Sequence, residues 1–406
     1  MRNFKFLFAS MTVATALFTA CSSPMQESLT LSGLNPARFD TIINEKPVKL
    51  YTLKNAAGTM EVCITNYGGR VVSLVVPDKD NVLTDVVLGF DNIAQYADTL
   101  NSPTDYGSSV GRYANRIKNA SFKIGGETYQ LKVNDNENCL HGGGNTGWMN
   151  QVYDAEQIGD SILKLTIVAE DGENGFPGTV KAVTTYKVTA DNTLDITWEA
   201  ETDKPTIINQ TNHNYYNLSG NFTQPGYDQV LYVNADSFTA SDAKYIPTGE
   251  IRKVEDTPFD FRSPHAIGDS IKSSYDQIQN ATGYDHNFCL NTWKDGKGND
   301  TIVCASLYSP KTGIFMEMFT NEPGVQVYSG NFQGVGKDAD IIRKHGIKYP
   351  KHVSVCLESQ KFPDSPNHPE WVSPVLQPGE KYYSHAAYKF STMIERQESQ
   401  SVNNNN

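Results

Sequence analysis

The chain has little helical periodicity. Apolar residues seldom recur every three to four positions, which excludes a helical bundle, and only 267–278 carries a spacing that suits a short helix. It also has no cluster of Lys and Arg. With 34 basic and 46 acidic side chains the formal net charge is -12. A phosphate backbone would meet no concentrated counter-charge, so nucleic acid is excluded as a partner. The Gly-rich stretch 142–147 fits the G-x-G-x-x-G spacing but no helical pattern follows it, and no Walker spacing occurs, so no phosphate cradle is expected. The six cysteines contain no C-x-x-C pair, and no His/Cys group has zinc spacing. Neither a catalytic metal nor any other cofactor is expected. Cys63, Cys139, Cys289, Cys304 and Cys356 read as small buried hydrophobes. A disulfide between two of them stays open as an alternative in an oxidising compartment.

What is present begins at the N-terminus. Arg2 and Lys5 precede about 15 nearly uncharged residues, 6–20, a run too short for a comfortable membrane span and suited to a secretory signal. It ends in Phe18-Thr19-Ala20-Cys21, which resembles a bacterial lipobox with Phe where Leu is usual. Residues 1–20 are therefore expected to be a lipoprotein signal peptide, with Cys21 lipidated as the mature N-terminus. A plain signal cleaved nearby is the alternative. On this reading 21–45 is a polar tether, 46–396 a single domain, and 397–406, closing on Asn403 to Asn406, a disordered tail. The protein would be exported and face the periplasm or cell surface, touching the membrane through its lipid alone.

The body reads as strands. Residues 122–124, the pair Gly125-Gly126 and residues 129–131 form a compact hairpin signal. Residues 183–188 and 194–198 alternate in hydrophobicity around Asp191-Asn192, and 303–308, 315–319 and 353–357 continue the pattern. Many short strands among 31 Gly and 19 Pro imply an all-β fold, a large antiparallel sandwich. In 353–358 the period-2 rule places Val353, Val355 and Leu357 on one face and turns Glu358 to the other, with Cys356 and Gln360. A carboxylate so placed commonly faces solvent; the neighbouring Cys356 argues for burial.

Several unusual local sequences carry residues fit for chemistry: Gly111-Arg112-Tyr113-Ala114-Asn115-Arg116-Ile117, Leu140-His141-Gly142-Gly143, Thr211-Asn212-His213-Asn214-Tyr215-Tyr216-Asn217-Leu218, Gly283-Tyr284-Asp285-His286, Pro323-Gly324-Val325-Gln326 and Leu357-Glu358-Ser359-Gln360. Each alone has a structural explanation, such as a core histidine bonded to a carbonyl. In order, joined by Asp171-Gly172-Glu173-Asn174-Gly175-Phe176-Pro177-Gly178 and Thr257-Pro258-Phe259-Asp260-Phe261, they resemble the aldose 1-epimerase (galactose mutarotase) family from about Tyr51 to Phe390.

The resemblance implies a sandwich of the galactose-mutarotase type with a sugar cleft on one sheet, and interconversion of the α and β anomers of free aldoses in hexose metabolism. That reaction needs a base for the anomeric hydroxyl and an acid for the ring oxygen. By motif, Glu358 would be the base and His213 the acid, while Asn115, Arg116, His141, Asp285 and Gln326 would bind the sugar. At its ordinary pKa Glu358 would be a ready carboxylate, whereas His213 would need a cleft carboxylate to keep it protonated. Tyr216 stands where Phe or Trp is more usual in the family, so its hydroxyl is expected at the cleft wall or in solvent. His265, His345, His352, His368 and His385 fall outside the matched segments, and His286 should face away from Asp285. A non-catalytic carbohydrate-binding module and a two-carboxylate glycoside hydrolase are the alternatives. The first would keep the cleft without the acid or base; the second would leave the histidines without a role.

Overall fold

A computed structural model describes residues 28–393 of the chain. Among the described residues the only α-helices are Ile93–Ala97 and Asp276–Ala281, and neither is long enough to build a layer. The 267–278 periodicity yields a 3₁₀ turn, Ile267–Asp269, and the start of the second helix rather than one continuous helix. No helix among the described residues is long and apolar enough to cross a membrane.

Antiparallel sheets make the rest. The largest has nine strands in the order Asp154–Ile158, Ile162–Ala169, Val180–Val188, Thr193–Thr202, Tyr382–Thr392, Ile314–Thr320, Ala305–Tyr308, Val230–Val233, His265–Ala266. Its central strands alternate cleanly: Leu163, Leu165, Ile167 and Ala169 point inward while Lys164 and Val168 are exposed. Residue pairing at Val188 and Leu194 closes the hairpin expected around Asp191-Asn192, and Ser121–Ile124 pairs with Glu127–Gln130 around Gly125-Gly126.

A second sheet has five strands, Pro247–Lys253, Ala235–Ser241, Asp285–Leu290, Gly324–Tyr328 and Cys356–Gln360. A third, four-stranded sheet comprises Leu50–Lys54, Glu61–Thr65, Arg70–Pro77 and Leu83–Asp85. One continuous core joins them, with Ile196, Trp198 and Met316 from the first sheet, Phe288, Val325, Val327 and Leu357 from the second, and Leu53, Val62 and Leu74 from the third. Each such side chain contributes roughly 1.5–3 kcal/mol on burial, and this shared interior makes the architecture a sandwich.

Two sequence readings need correction here. The folded body starts before residue 46: Leu34 and Phe39 are buried in a second cluster with Tyr96 and Val72, and Thr41–Ile43 pairs with Lys46–Val48. The tether reading missed these apolar anchors among polar neighbours. The segment 353–357 is not one strand either. Strand pairing starts at Cys356, and Val353 packs in the second cluster while Val355 and Leu357 pack in the first. The signal peptide, Cys21 and the tail 397–406 lie outside the described residues. The five remaining cysteines are free, four of them buried.

Candidate active site

The five-stranded sheet sets the site through its register. Asn287, Gln326 and Glu358 lie directly opposite one another, as do Asp285, Tyr328 and Cys356 on the same three strands. Residues opposite each other share a face, so Asp285, Gln326 and Glu358 project together. The other face carries Phe288, Val325, Val327 and Leu357 into the core. Glu358 accordingly points away from Leu357 but not into open solvent, being only 2% exposed.

Above this face opens a cleft lined by Asp105, Asn115, Arg116, His141, His213, Tyr215, Asp285, Tyr328 and Glu358, among others. It thus gathers six of the seven substrate and catalytic residues named from sequence. Gln326 sits beneath: its side-chain amide donates to Asp285 Oδ1 at 2.7 Å, and its Oε1 accepts from Gln360 at 3.2 Å.

The loops above the sheet are held by backbone contacts. His213 follows the short strand Thr211–Asn212, which pairs with Ser109–Val110. Its N–H donates to Ser108 O, and its carbonyl accepts from Gly107 N–H. From behind, Trp198 of the large sheet donates its indole N–H to Ser109 Oγ at 3.0 Å. Tyr388 likewise donates to Leu357 O at 2.9 Å, beside Glu358. Asn115 and His141 clamp each other: Asn115 N–H donates to His141 Nδ1 at 3.1 Å, and His141 N–H donates to Asn115 O at 3.1 Å. Both have left-handed backbones, φ 65° and 49°. Gly142, at φ 78°, passes so close to Gly111 O that a Cβ would stand 2.2 Å from it. The first glycine of the His-Gly-Gly sequence is therefore required by close approach of backbones.

The tautomer of His141 follows. Burial lowers its pKa to about 3, so the ring is neutral; with Nδ1 accepting, its proton lies on Nε2. His213 stacks on Tyr215 at 4.8 Å and meets Tyr328 edge-on. Its Nε2 lies 3.5 Å from Glu358 Oε1. Burial lowers the His213 pKa, and the nearby Asp105 opposes that shift. Burial also pushes the Glu358 carboxyl well above its ordinary value, followed by repulsion from Asp285 and Asp105. The sequence-based expectation of a ready carboxylate is corrected: burial favours the neutral form of Glu358, whose Oε2 has no hydrogen-bond partner among the described residues. Asp285 is likewise raised by burial, against the pull of Arg116. Arg116 donates from Nε to Asp135 at 2.7 Å and lies over the Tyr245 ring.

Asp105, Asp135 and Asn287 were not singled out from sequence, and Gln360 was named only as sharing the face of Glu358, with no role. Asn287 and Gln360 carry a period-2 signal, lying two residues from Asp285 and Glu358 on the same strand faces. Asp105 and Asp135 are loop residues with no such signal. One carboxylate oxygen of Asp105 and one ring nitrogen each of His141 and His213 lie within 4.8 Å of one another. Such donor types suit a cation as well as a proton, and hemiacetal opening calls only for the latter. Tyr216 does not reach the cleft or solvent as expected. It is fully buried, its hydroxyl accepts from Asn214 Nδ2 at 3.0 Å, and its ring packs on Tyr388 and Phe390. His286 turns away from the cleft to Ser241 and Gln277.

Comparison with known proteins identifies the family. The family model described as aldose 1-epimerase matches residues 49–389. Galactose mutarotase of Mus musculus is 38% identical over 332 residues, covering 82% of this chain and 91% of its own. Aldose 1-epimerase of Escherichia coli is 35% identical over 347 residues, covering 85% and 96%. A solved aldose epimerase homologue from C. elegans has a TM-score of 0.76 at 29% identity, covering 85% of this chain and 99% of that one. Galactose 1-epimerase from Lactobacillus acidophilus gives 0.73 at 29% identity, covering 87% and 97%. The chain belongs to the aldose 1-epimerase family.

Proposed function

We propose that the protein is a mutarotase, interconverting the α and β anomers of free aldoses such as galactose and glucose. The observation that carries this reading is the enclosed His213–Glu358 pair, 3.5 Å apart and opening on the cleft. Glu358 takes the proton of the anomeric hydroxyl, and His213 protonates the ring oxygen as the C1–O5 bond breaks. Rotation about C1–C2 presents the other face of the aldehyde, and both transfers then run backward. The Nε2–H of His141 supplies a fixed neutral donor, Arg116 and Asn115 orient hydroxyls, and Asp285 accepts from one while Gln326 steadies it.

The pair works with one proton between its members, in the form Glu⁻/HisH⁺. Burial disfavours both charges and so favours the neutral form of the pair, and the sugar's polar groups help to bring out the ionic one. Rate should follow a bell-shaped pH profile: a second proton disables the base on the acid side, and loss of the one proton disables the acid on the alkaline side. Polarimetry of fresh α-D-galactose and α-D-glucose tests the proposal. The parent should speed approach to equilibrium and Glu358→Gln and His213→Asn should not; a parent that leaves every aldose at its spontaneous rate would overturn it.

Uncharged sugars fit best. Asp105, Asp285, Asp338 and Glu358 line the cleft against Arg116 alone among Lys and Arg, so a sugar phosphate meets an excess of carboxylates. Galactose 6-phosphate should turn over more slowly than galactose. The Phe18-Thr19-Ala20-Cys21 sequence further supports export and lipidation at Cys21, placing the enzyme where anomers freed by glycosidases await uptake. Labelling with a fatty-acid analogue should mark the parent and spare Cys21→Ser; equal labelling would refute the anchor.

A further inference from the structure

We infer that Asp105 is a positioning residue of the proton pair: its carboxylate holds the working proton on His213–Glu358. This inference rests on the mutarotase reading for its catalytic consequence, but not for its electrostatic one. The argument starts from geometry. Asp105 lies in the loop before the Ser109–Val110 strand, lines the cleft, and places a carboxylate oxygen within 4.8 Å of a nitrogen on each of His141 and His213.

No salt bridge or side-chain hydrogen bond engages that carboxylate among the described residues; the local bonds go to the Asp105 main-chain carbonyl, from Ser108 N–H and Ser108 Oγ. It therefore fixes no loop by its own bonding. It is also the carboxylate that the ionic form of the pair requires. An imidazolium at His213 is faced by Glu358, by the neutral rings of His141, Tyr215 and Tyr328, and at longer range by the cation of Arg70. Once Glu358 has passed its charge into the reacting sugar, Asp105 is the anion that remains beside the histidine. Asp285 is a second anion, but it acts on Glu358 rather than on His213.

His141 does not compete for the proton. Its Nδ1 is engaged by Asn115 N–H, and its burial keeps the ring neutral. Asp105 thus favours protonation of His213 and disfavours ionisation of Glu358, and both effects move the pair's titration toward alkali.

The test is the Asp105→Asn variant, which keeps the side chain's shape and removes its charge. The bell of kcat/KM against pH, measured by polarimetry, should move acidward by about one pH unit, the scale expected for a part-solvated charge some 5 Å away. On the alkaline limb this reads as about a tenfold loss, with little change in KM. Asp105→Glu should restore most of the shift. A bell that stays in place while its height falls would overturn the inference and make Asp105 a packing residue. A rise in KM at an unmoved bell would overturn it too, in favour of a direct contact to a sugar hydroxyl. The titration of the His213 ring in the sugar-free protein, followed by NMR and assigned with His213→Asn, reads the same interaction without catalysis. The apparent pKa should fall in Asp105→Asn, and an unchanged titration overturns the inference even if polarimetry shows full mutarotase activity. If the parent is inactive but the titration moves, the mutarotase reading fails and the electrostatic assignment stands.

Discussion

The nine-stranded and five-stranded sheets are built from similar strands but treat their second faces differently. In the large sheet the strands Ile162–Ala169 and Val180–Val188 bury one face and expose charged or polar residues such as Lys164 and Lys181 on the other. In the five-stranded sheet Gly324–Tyr328 and Cys356–Gln360 are buried throughout. Their second face is polar, with Gln326, Glu358 and Gln360, and buried polar atoms cost stability wherever a partner is missing. Such atoms include Glu358 Oε2, Asn287 Nδ2 and Gln360 Oε1. One sheet spends its sequence on the core; the other gives up stability to hold groups that a substrate completes.

The sharpest break of this comparison is Glu358→Gln. Activity should fall about 10²–10⁴-fold, while thermal midpoint stays level or rises by a few degrees, because a buried carboxyl without a full set of partners is replaced by a neutral amide of the same shape. A variant that loses both activity and stability would mean that Glu358 is structural. Ile196→Ala in the large sheet should do the reverse, costing about 2–5 kcal/mol in denaturant unfolding with kcat unchanged in the fraction that stays folded. Gln326→Ala lies between them: KM should rise about tenfold as Asp285 loses its donor, with a smaller change in kcat. Lys164→Ala, on the exposed face, should stay within about 0.5 kcal/mol in stability and leave rates untouched.

The same contrast explains what could be read from the sequence. Strands with one wet face advertise themselves, and the hairpin joining Val180–Val188 to Thr193–Thr202 was legible from alternation alone. Residues 353–357 were misread because the chain there passes between two hydrophobic clusters, and Val353 satisfies a period-2 rule without being in the strand. Asn115, Arg116, His141, His213, Asp285 and Glu358 were named from motifs, and the cleft gathers all six. Gln326 was named as well, but its place below Asp285 depends on cross-strand register, which no local pattern reveals. Asp105 escaped notice because a loop carboxylate has no periodicity, and its importance exists only through proximity to residues 36 and 108 positions away. The buried Tyr216 hydroxyl was misplaced for a related reason: Asn214, two residues before it, supplies the partner that lets a phenol enter the core.

The N-terminal anchor at Leu34 and Phe39 sets a limit on reach. Leu34, the first buried residue of the body, lies 13 residue steps from Cys21, and a fully extended peptide of that length spans at most about 45 Å. If Cys21 carries the proposed lipid, the enzyme stands no farther from the bilayer than about its own diameter, so it samples sugars in the layer next to the membrane rather than throughout the compartment. Lengthening that leash, by inserting a Gly/Ser stretch between Cys21 and Ser28, would raise the body off the surface without touching its fold.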